Sequence, residues 1–149
     1  MEKFIGFKMV QAEPAIKIGG KVYSINEPMP KSMEPRQEGY KVVYEDGYES
    51  WSPKPVFEKA YMQVGQNNTI TQENVDMFIA SVQDFKLGEK TTTVMVTLVN
   101  GFVIVESSSC VDPANFNQEI GKDICMEKVK DKIWGLLGFL LQTAVSGIK

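Results

Sequence analysis

Two runs rich in β-branched residues, Thr91 to Val99 and Phe102 to Ser109, are joined by Asn100-Gly101, and Asp112-Pro113 follows at once. Asn-Gly between such runs is the strongest short-range hairpin signal, because a type I′ turn needs φ > 0 at both central residues. A two-residue turn sets the register: Val99 opposite Phe102, Leu98 opposite Val103, Thr97 opposite Ile104 and Val96 opposite Val105. Alternation across the pleat then gathers Val94, Val96, Leu98, Val103 and Val105 on a core face. Met95, Thr97, Val99, Phe102, Ile104 and Glu106 fall on a mixed one. That mixed face either covers a partner or holds a ligand; the plainer reading packs Phe102 under the following helix.

Asp112 reads as an N-cap and Pro113 as the first helical residue. Phe116, Ile120 and Ile124 recur every four residues, and Val129, Ile133, Leu136, Leu137, Leu140, Leu141 and Ala144 continue an apolar stripe. Gly121, Gly135 and Gly138 lie inside it, each costing roughly 1 kcal/mol against alanine. A bend or break is therefore expected near Trp134-Gly135, giving a helix pair. Glu119, Asp123, Glu127 and Asp131 form an acidic row at i+4 spacing, flanked by Lys122, Lys128, Lys130 and Lys132. A solvated face with i,i+3 pairs such as Glu127 with Lys130 accounts for it. The Leu136 to Leu141 end is more apolar than one short helix needs, which motivates a helix-to-helix dimer or a higher homo-oligomer.

Upstream, Lys3 to Gln11 reads as an edge strand ended by Pro14, and residues 15 to 38 as loop with at most one small element. Tyr40 to Glu45, Asp46-Gly47 and Tyr48 to Trp51 form a second hairpin, with Val42 opposite Trp51 so that Tyr40, Val42, Tyr44 and Trp51 share a face. Ser52-Pro53 caps a helix from Pro53 to Met62 that covers this face with Val56, Phe57, Ala60 and Tyr61. The organisation expected is a ββα module over residues 1–62, a linker over 63–70, and a hairpin-plus-helix domain over 71–149 that oligomerises and binds a ligand. Thr71 to Asn74 opens a helix with a capping box, Val75, Phe78, Ile79 and Val82 share one face of it, and Gln83 to Lys86 forms a strand. The fold class is α+β, a β-hairpin packed on a long C-terminal helix or helix pair.

The chain of 149 residues contains no histidine. That removes Ser-His-Asp and Cys-His catalysis and nearly every catalytic zinc arrangement. Two cysteines, Cys110 and Cys125, are too few for a structural zinc site and fit reduced thiols. No metal, no cofactor and no enzymatic activity is expected. A net charge of −3 argues against binding a nucleic-acid polymer. No run of 18 apolar residues and no signal-peptide core is present, so the expected location is cytoplasmic.

Thr97 to Phe102, then Ser109-Cys110-Val111-Asp112-Pro113-Ala114-Asn115-Phe116, then Lys132-Ile133-Trp134 and Gly138 to Leu141, resemble a family of small accessory proteins of tailed phages. The first sixty residues, with Asp-Gly-Tyr-Glu-Ser-Trp-Ser-Pro-Lys-Pro-Val-Phe, look like a portable N-terminal module of phage accessory proteins. The C-terminal half further resembles the phage anti-Thoeris proteins of the first described type, nucleotide sponges that hold cyclic ADP-ribose signals and in some cases cyclic oligonucleotides. The resemblance implies a non-catalytic protein of the infected bacterial cytoplasm that oligomerises and sequesters a cyclic nucleotide. An adaptor that inhibits a host protein through the N-terminal module is the alternative. A sponge pocket needs an aromatic face, polar side chains for riboses and donors for a pyrophosphate. Asn100 and Phe102 at the hairpin tip, Asn115 and Phe116 at the helix start, and Lys122, Lys128, Lys130 and Asp131 along it are the candidates. Family pockets lean on arginine; Arg36, in the N-terminal loop, is the single arginine here, so the positive charge of such a pocket would have to come from lysines, which cannot clamp a phosphate bidentately.

Overall fold

The computed structural model describes residues 1–31 and 33–149. The chain is α+β and divides into two compact units, Met1–Gln63 with Thr143–Lys149, and Val64–Gln142.

In the first unit, β1 (Gln11–Ile18), β2 (Lys21–Ser24), β3 (Arg36–Val43) and β4 (Glu49–Pro53) form an antiparallel sheet in the order β2-β1-β3-β4, followed by helix α1 (Lys54–Ala60). This is more sheet than the expected ββα module. The stretch expected as loop supplies the second half of β1, all of β2 and the first three residues of β3; its Ser32 lies outside the described residues. The strand expected over Lys3 to Gln11 starts instead at Gln11, and Pro14 lies within it opposite Tyr40. Pro14 is tolerated because β2 covers β1 only as far as Ala15, so the strand is an edge where the N–H is missing. Ala15, Ile18 and Val42 are buried. Ser52 belongs to β4, and α1 begins after Pro53 with Pro55 in its first turn. Tyr40, Phe57 and Tyr61 stack in series, with centroids 4.2 and 4.7 Å apart, and Tyr40 donates to Glu58 at 2.9 Å. The Glu58 carboxylate and partial burial raise the Tyr40 phenol above its usual range.

The second unit opens with a closed turn where a linker was expected: Gly65 N–H donates to Thr69 O at 2.8 Å, and Asn67 and Asn68 take positive φ. Helix α2 (Gln72–Met77) carries the expected capping box, with Asn74 N–H on Thr71 Oγ1 at 3.2 Å and Thr71 N–H on Asn74 Oδ1 at 3.0 Å. The helix stops at Met77, so Ile79 and Val82 lie in strand β5 (Ile79–Leu87) and only Val75 of the expected stripe is buried on α2. Strands β6 (Thr91–Leu98) and β7 (Val103–Ser109) complete a three-stranded antiparallel sheet, β5-β6-β7.

Both hairpins expected from the sequence form, and both are one residue out of the expected register. Thr97 faces Val103, Val96 faces Ile104 and Met95 faces Val105. The loop has three residues: Leu98 N–H reaches Phe102 O at 2.8 Å, Gly101 N–H reaches Leu98 O at 2.9 Å, and Gly101 alone takes a positive φ, 87°. This is a type I turn closed by a left-handed glycine, not a type I′ turn. Glu45-Asp46-Gly47 repeats it, with Gly47 at φ 86°, so Lys41 rather than Val42 lies opposite Trp51. Trp51 therefore does not share the Tyr40–Val42 face. In the second unit the shift puts Ile104 in the core and turns Val103 and Val105 outward. Phe102, 55% exposed at the tip, does not pack under the helix.

Asp112 caps a single 3-10 turn, Pro113–Asn115, rather than the long helix. Helix α3 (Gln118–Ser146) starts five residues later and runs 29 residues without the break expected at Trp134-Gly135, roughly 43 Å at 1.5 Å per residue. Its buried line is Cys125, Val129, Ile133 and Leu137, which pack with Val75, Val94, Val96, Leu98 and Ile104; Leu140 lies at the margin. Ile120 and Ile124 are exposed instead. Gly121 makes this seat possible, because a Cβ there would lie 2.2 Å from Thr92 Oγ1 on β6. Cβ atoms added at Gly135 or Gly138 would meet open space. Burying Ile133 and Leu137 is worth about 1.5–3 kcal/mol each, which outweighs the two glycines at about 1 kcal/mol each.

Candidate functional site

The candidates fall into three groups, all in the second unit. Asn100 and Phe102 lie together at the β6–β7 tip, where Asn100 Oδ1 accepts from Phe102 N–H at 3.0 Å. Asn115 and Phe116 lie past the far end of β7. The seven residues of β7 separate the groups by roughly 23 Å at 3.3 Å per residue, so they do not form one pocket within a chain.

The lysines are divided between the two flanks of α3, each with a partner. Lys122 Nζ is 3.2 Å from Asp84 on β5 and Lys130 Nζ 3.1 Å from Asp76 on α2, in place of the expected Glu127 pair. On the other flank Lys128 Nζ donates to Ser107 O at 2.8 Å, and Lys132 pairs with Glu106, both on β7. These lysines stitch α3 to β5 and α2 on one flank and to β7 on the other, and no phosphate-sized cluster results. Asp131 stays on the exposed acidic row. Gln118 and Lys122 hold the Asp84 carboxyl below the usual carboxylate range; Lys130 and Gln72 do the same for Asp76.

The Asn115–Phe116 corner gathers the most suitable chemistry. Asp112 Oδ1 accepts from Ala114 N–H at 2.9 Å and Asn115 N–H reaches Asp112 O at 2.9 Å, which fixes the turn. Asn117 then caps α3, its Oδ1 accepting from Ile120 N–H at 3.2 Å. Lys86 Nζ from β5 stands 4.5 Å over the Phe116 ring, a cation–π pair. A partly buried aromatic ring, a cation, two asparagine amides and the positive end of a long helix thus share one corner. Sequence reasoning missed Lys86: thirty residues separate it from Phe116, and no local pattern links them.

Among the described residues no group of three or more Cys, Asp or Glu side chains is placed to hold a metal ion. Cys125 is buried with Sγ 3.6 Å from Thr92 O, and burial pushes its thiol pKa up; Cys110 is partly exposed. An open groove of about 470 Å³ in the first unit is lined by Lys8, Met9, Tyr44, Glu45, Asp46 and Tyr48.

A model described as the phage protein (N4 Gp49/phage Sf6 gene 66) family matches residues 70–145, more than half of the chain. The chain belongs to that family. As a member of it, the protein is a phage protein, and the matched span holds α2, the three-stranded sheet and all but the last residue of α3. No curated protein and no solved structure matches the chain. Among the described residues no helix is long and apolar enough to cross a membrane.

Proposed function

We propose that this phage protein sequesters a cyclic nucleotide immune signal, of cyclic ADP-ribose type or a cyclic oligonucleotide, and releases it unchanged. The observation that carries the reading is the Asn115–Phe116 corner with Lys86 over the ring, beside the N-terminus of α3. The ring offers a base a stacking surface, the asparagines match ribose hydroxyls, and Lys86 with the helix end favours a phosphate. A histidine-free chain suits a task that needs affinity and no proton transfer. The hairpin tip with Asn100 and Phe102 joins this site only from another copy, so the reading includes self-association.

Titration of the full chain with cyclic ADP-ribose isomers and cyclic di- and trinucleotides tests it. The expected result is saturable binding that Phe116→Ala and Lys86→Ala each weaken at least tenfold, with the ligand recovered intact after heating. Binding unaffected by both variants, or a cleaved ligand, refutes it. The adaptor reading has its own supporting observation. Phe4 and Ile5 project from the first unit, 93% and 76% exposed, as a partner-binding arm would. Retention of one host protein by residues 1–63 fused to a carrier, lost in Phe4→Ser/Ile5→Ser, would favour it.

A further inference from the structure

The open groove of about 470 Å³ in the first unit is built on the β3–β4 turn. Tyr44 N–H donates to Tyr48 O and Gly47 N–H to Tyr44 O, both at 2.9 Å, and Asp46 Oδ1 accepts from Tyr48 N–H at 3.0 Å. These bonds hold the Tyr44 and Tyr48 rings side by side, with centroids 5.8 Å apart and planes tilted by 32°. Lys8, from the segment ahead of β1, places its ammonium 4.4 Å from the centre of the Tyr44 ring. The ring quadrupole attracts a cation to an aromatic face, and a carboxylate close by adds to that attraction. Glu45 and Asp46 line the same groove, and among the described residues the Glu45 carboxylate has no ion-pair partner. Lys17 over Trp51 and Lys21 over Tyr23 are cation–π pairs too, but among the described residues neither ring has a second ring beside it.

We propose that this groove receives a lysine side chain of a partner protein, whose ammonium displaces that of Lys8 from the Tyr44 ring. The seated Lys8 shows the kind of group the groove accepts, an ammonium on an alkyl stem. Charge selects the same occupant, because Glu45 and Asp46 attract a cation and repel a phosphate, so a nucleotide is disfavoured here. The open mouth selects a side chain carried on a polypeptide over a free small cation, since small ligands are held by pockets that enclose most of their surface. The exchange also unfastens the segment that carries Phe4 and Ile5, 93% and 76% exposed, which then meets the same partner. None of this depends on the nucleotide reading.

Titration of the full chain with acetylated tetralysine amide, followed by NMR of the Lys8 ε-methylene, tests it. The Tyr44 ring current shifts that signal upfield in the free chain, and saturating peptide is expected to return it to its open-chain position. Lys8→Ala, which clears the ring, is expected to bind the peptide about two- to fivefold more tightly, the worth of one exposed cation–π contact. Glu45→Gln and Tyr48→Ala, both at exposed positions, are each expected to weaken binding by about the same factor with an unchanged circular dichroism spectrum. Asp123→Asn, on the exposed acidic row of α3, is expected to behave as wild type, which separates the groove from general attraction to an acidic chain. Absence of saturable binding, or a Lys8 signal that stays in place at saturation, overturns the proposal. So does a Lys8→Ala chain that binds no more tightly than wild type, or affinity lost in Asp123→Asn but kept in Glu45→Gln and Tyr48→Ala. Tetramethylammonium binding as tightly as the peptide would overturn the assignment to a partner protein.

Discussion

Gly121, Gly135 and Gly138 lie on one helix, yet replacing each by alanine is expected to give effects of opposite sign. Alanine gains about 1 kcal/mol over glycine in a helix interior. At Gly135 and Gly138 the new methyl meets no atom within 4 Å, so the full gain of about 1 kcal/mol should appear. At Gly121 it would lie 2.2 Å from Thr92 Oγ1 and 2.7 Å from Thr92 Cβ, and Thr92 is 1% exposed with its hydroxyl towards Gln118 Oε1 at 3.3 Å. Thr92 is held by strand backbone and cannot swing aside as a flexible chain end would. Overpacking of this kind costs about 1–3 kcal/mol, so the net change is a loss of roughly 0–2 kcal/mol. Urea unfolding followed by helical circular dichroism reads the result as a shift in midpoint at constant slope. Gly121→Ala stabilising the chain as much as Gly135→Ala would refute the seating of α3 on β6 at Thr92.

The Thr93 hydroxyl is buried without a hydrogen-bond partner, so Thr93→Val should be neutral or stabilise by up to about 1 kcal/mol in the same assay; a clear loss would mean the hydroxyl has a partner. The depressed Asp84 and Asp76 pKa values favour the folded state above the unfolded carboxylate value of about 3.9, and that contribution is lost as pH falls through the folded values. Thermal midpoints should therefore be insensitive to these groups from about pH 5 to 8, and Asp84→Asn should flatten the decline below about pH 4; an unchanged acid limb would contradict it. A thiol reagent should modify Cys110 in the native chain and Cys125 only after unfolding, as judged by peptide mass; equal native labelling would contradict the burial of Cys125.

Both long hairpins are legible in the sequence because Asn100-Gly101 and Asp46-Gly47 punctuate β-rich runs. Their register is not, since a two-residue and a three-residue loop place glycine at the same point. The run Val103-Ile104-Val105 is apolar at every position, so alternation cannot decide which residue turns inward. β1 and β2 were hidden for a related reason: Pro14 and the short partners of Gly19-Gly20 break up any periodicity, although Gly-Gly between Ile18 and Lys21 is itself a hairpin signal. The length of α3 was obscured by three glycines whose cost is set by what faces them. Of the candidate site, Asn115 and Phe116 were accessible from the helix-start pattern. Lys86 was not, because it reaches Phe116 only through the β5-β6 pairing and the seat of α3. The alignment of Lys122, Lys128, Lys130 and Lys132 along one helix suggested a cluster, but a helix turns 100° per residue and sends them to opposite flanks.

The most direct test of sequestration is calorimetry of the full chain with a cyclic ADP-ribose isomer, followed by chromatography of the released ligand. The account predicts saturable heat, loss of that heat in Phe116→Ala, and a ligand that elutes unchanged. Absence of heat across the cyclic nucleotide panel, or a ligand that elutes hydrolysed, would contradict it.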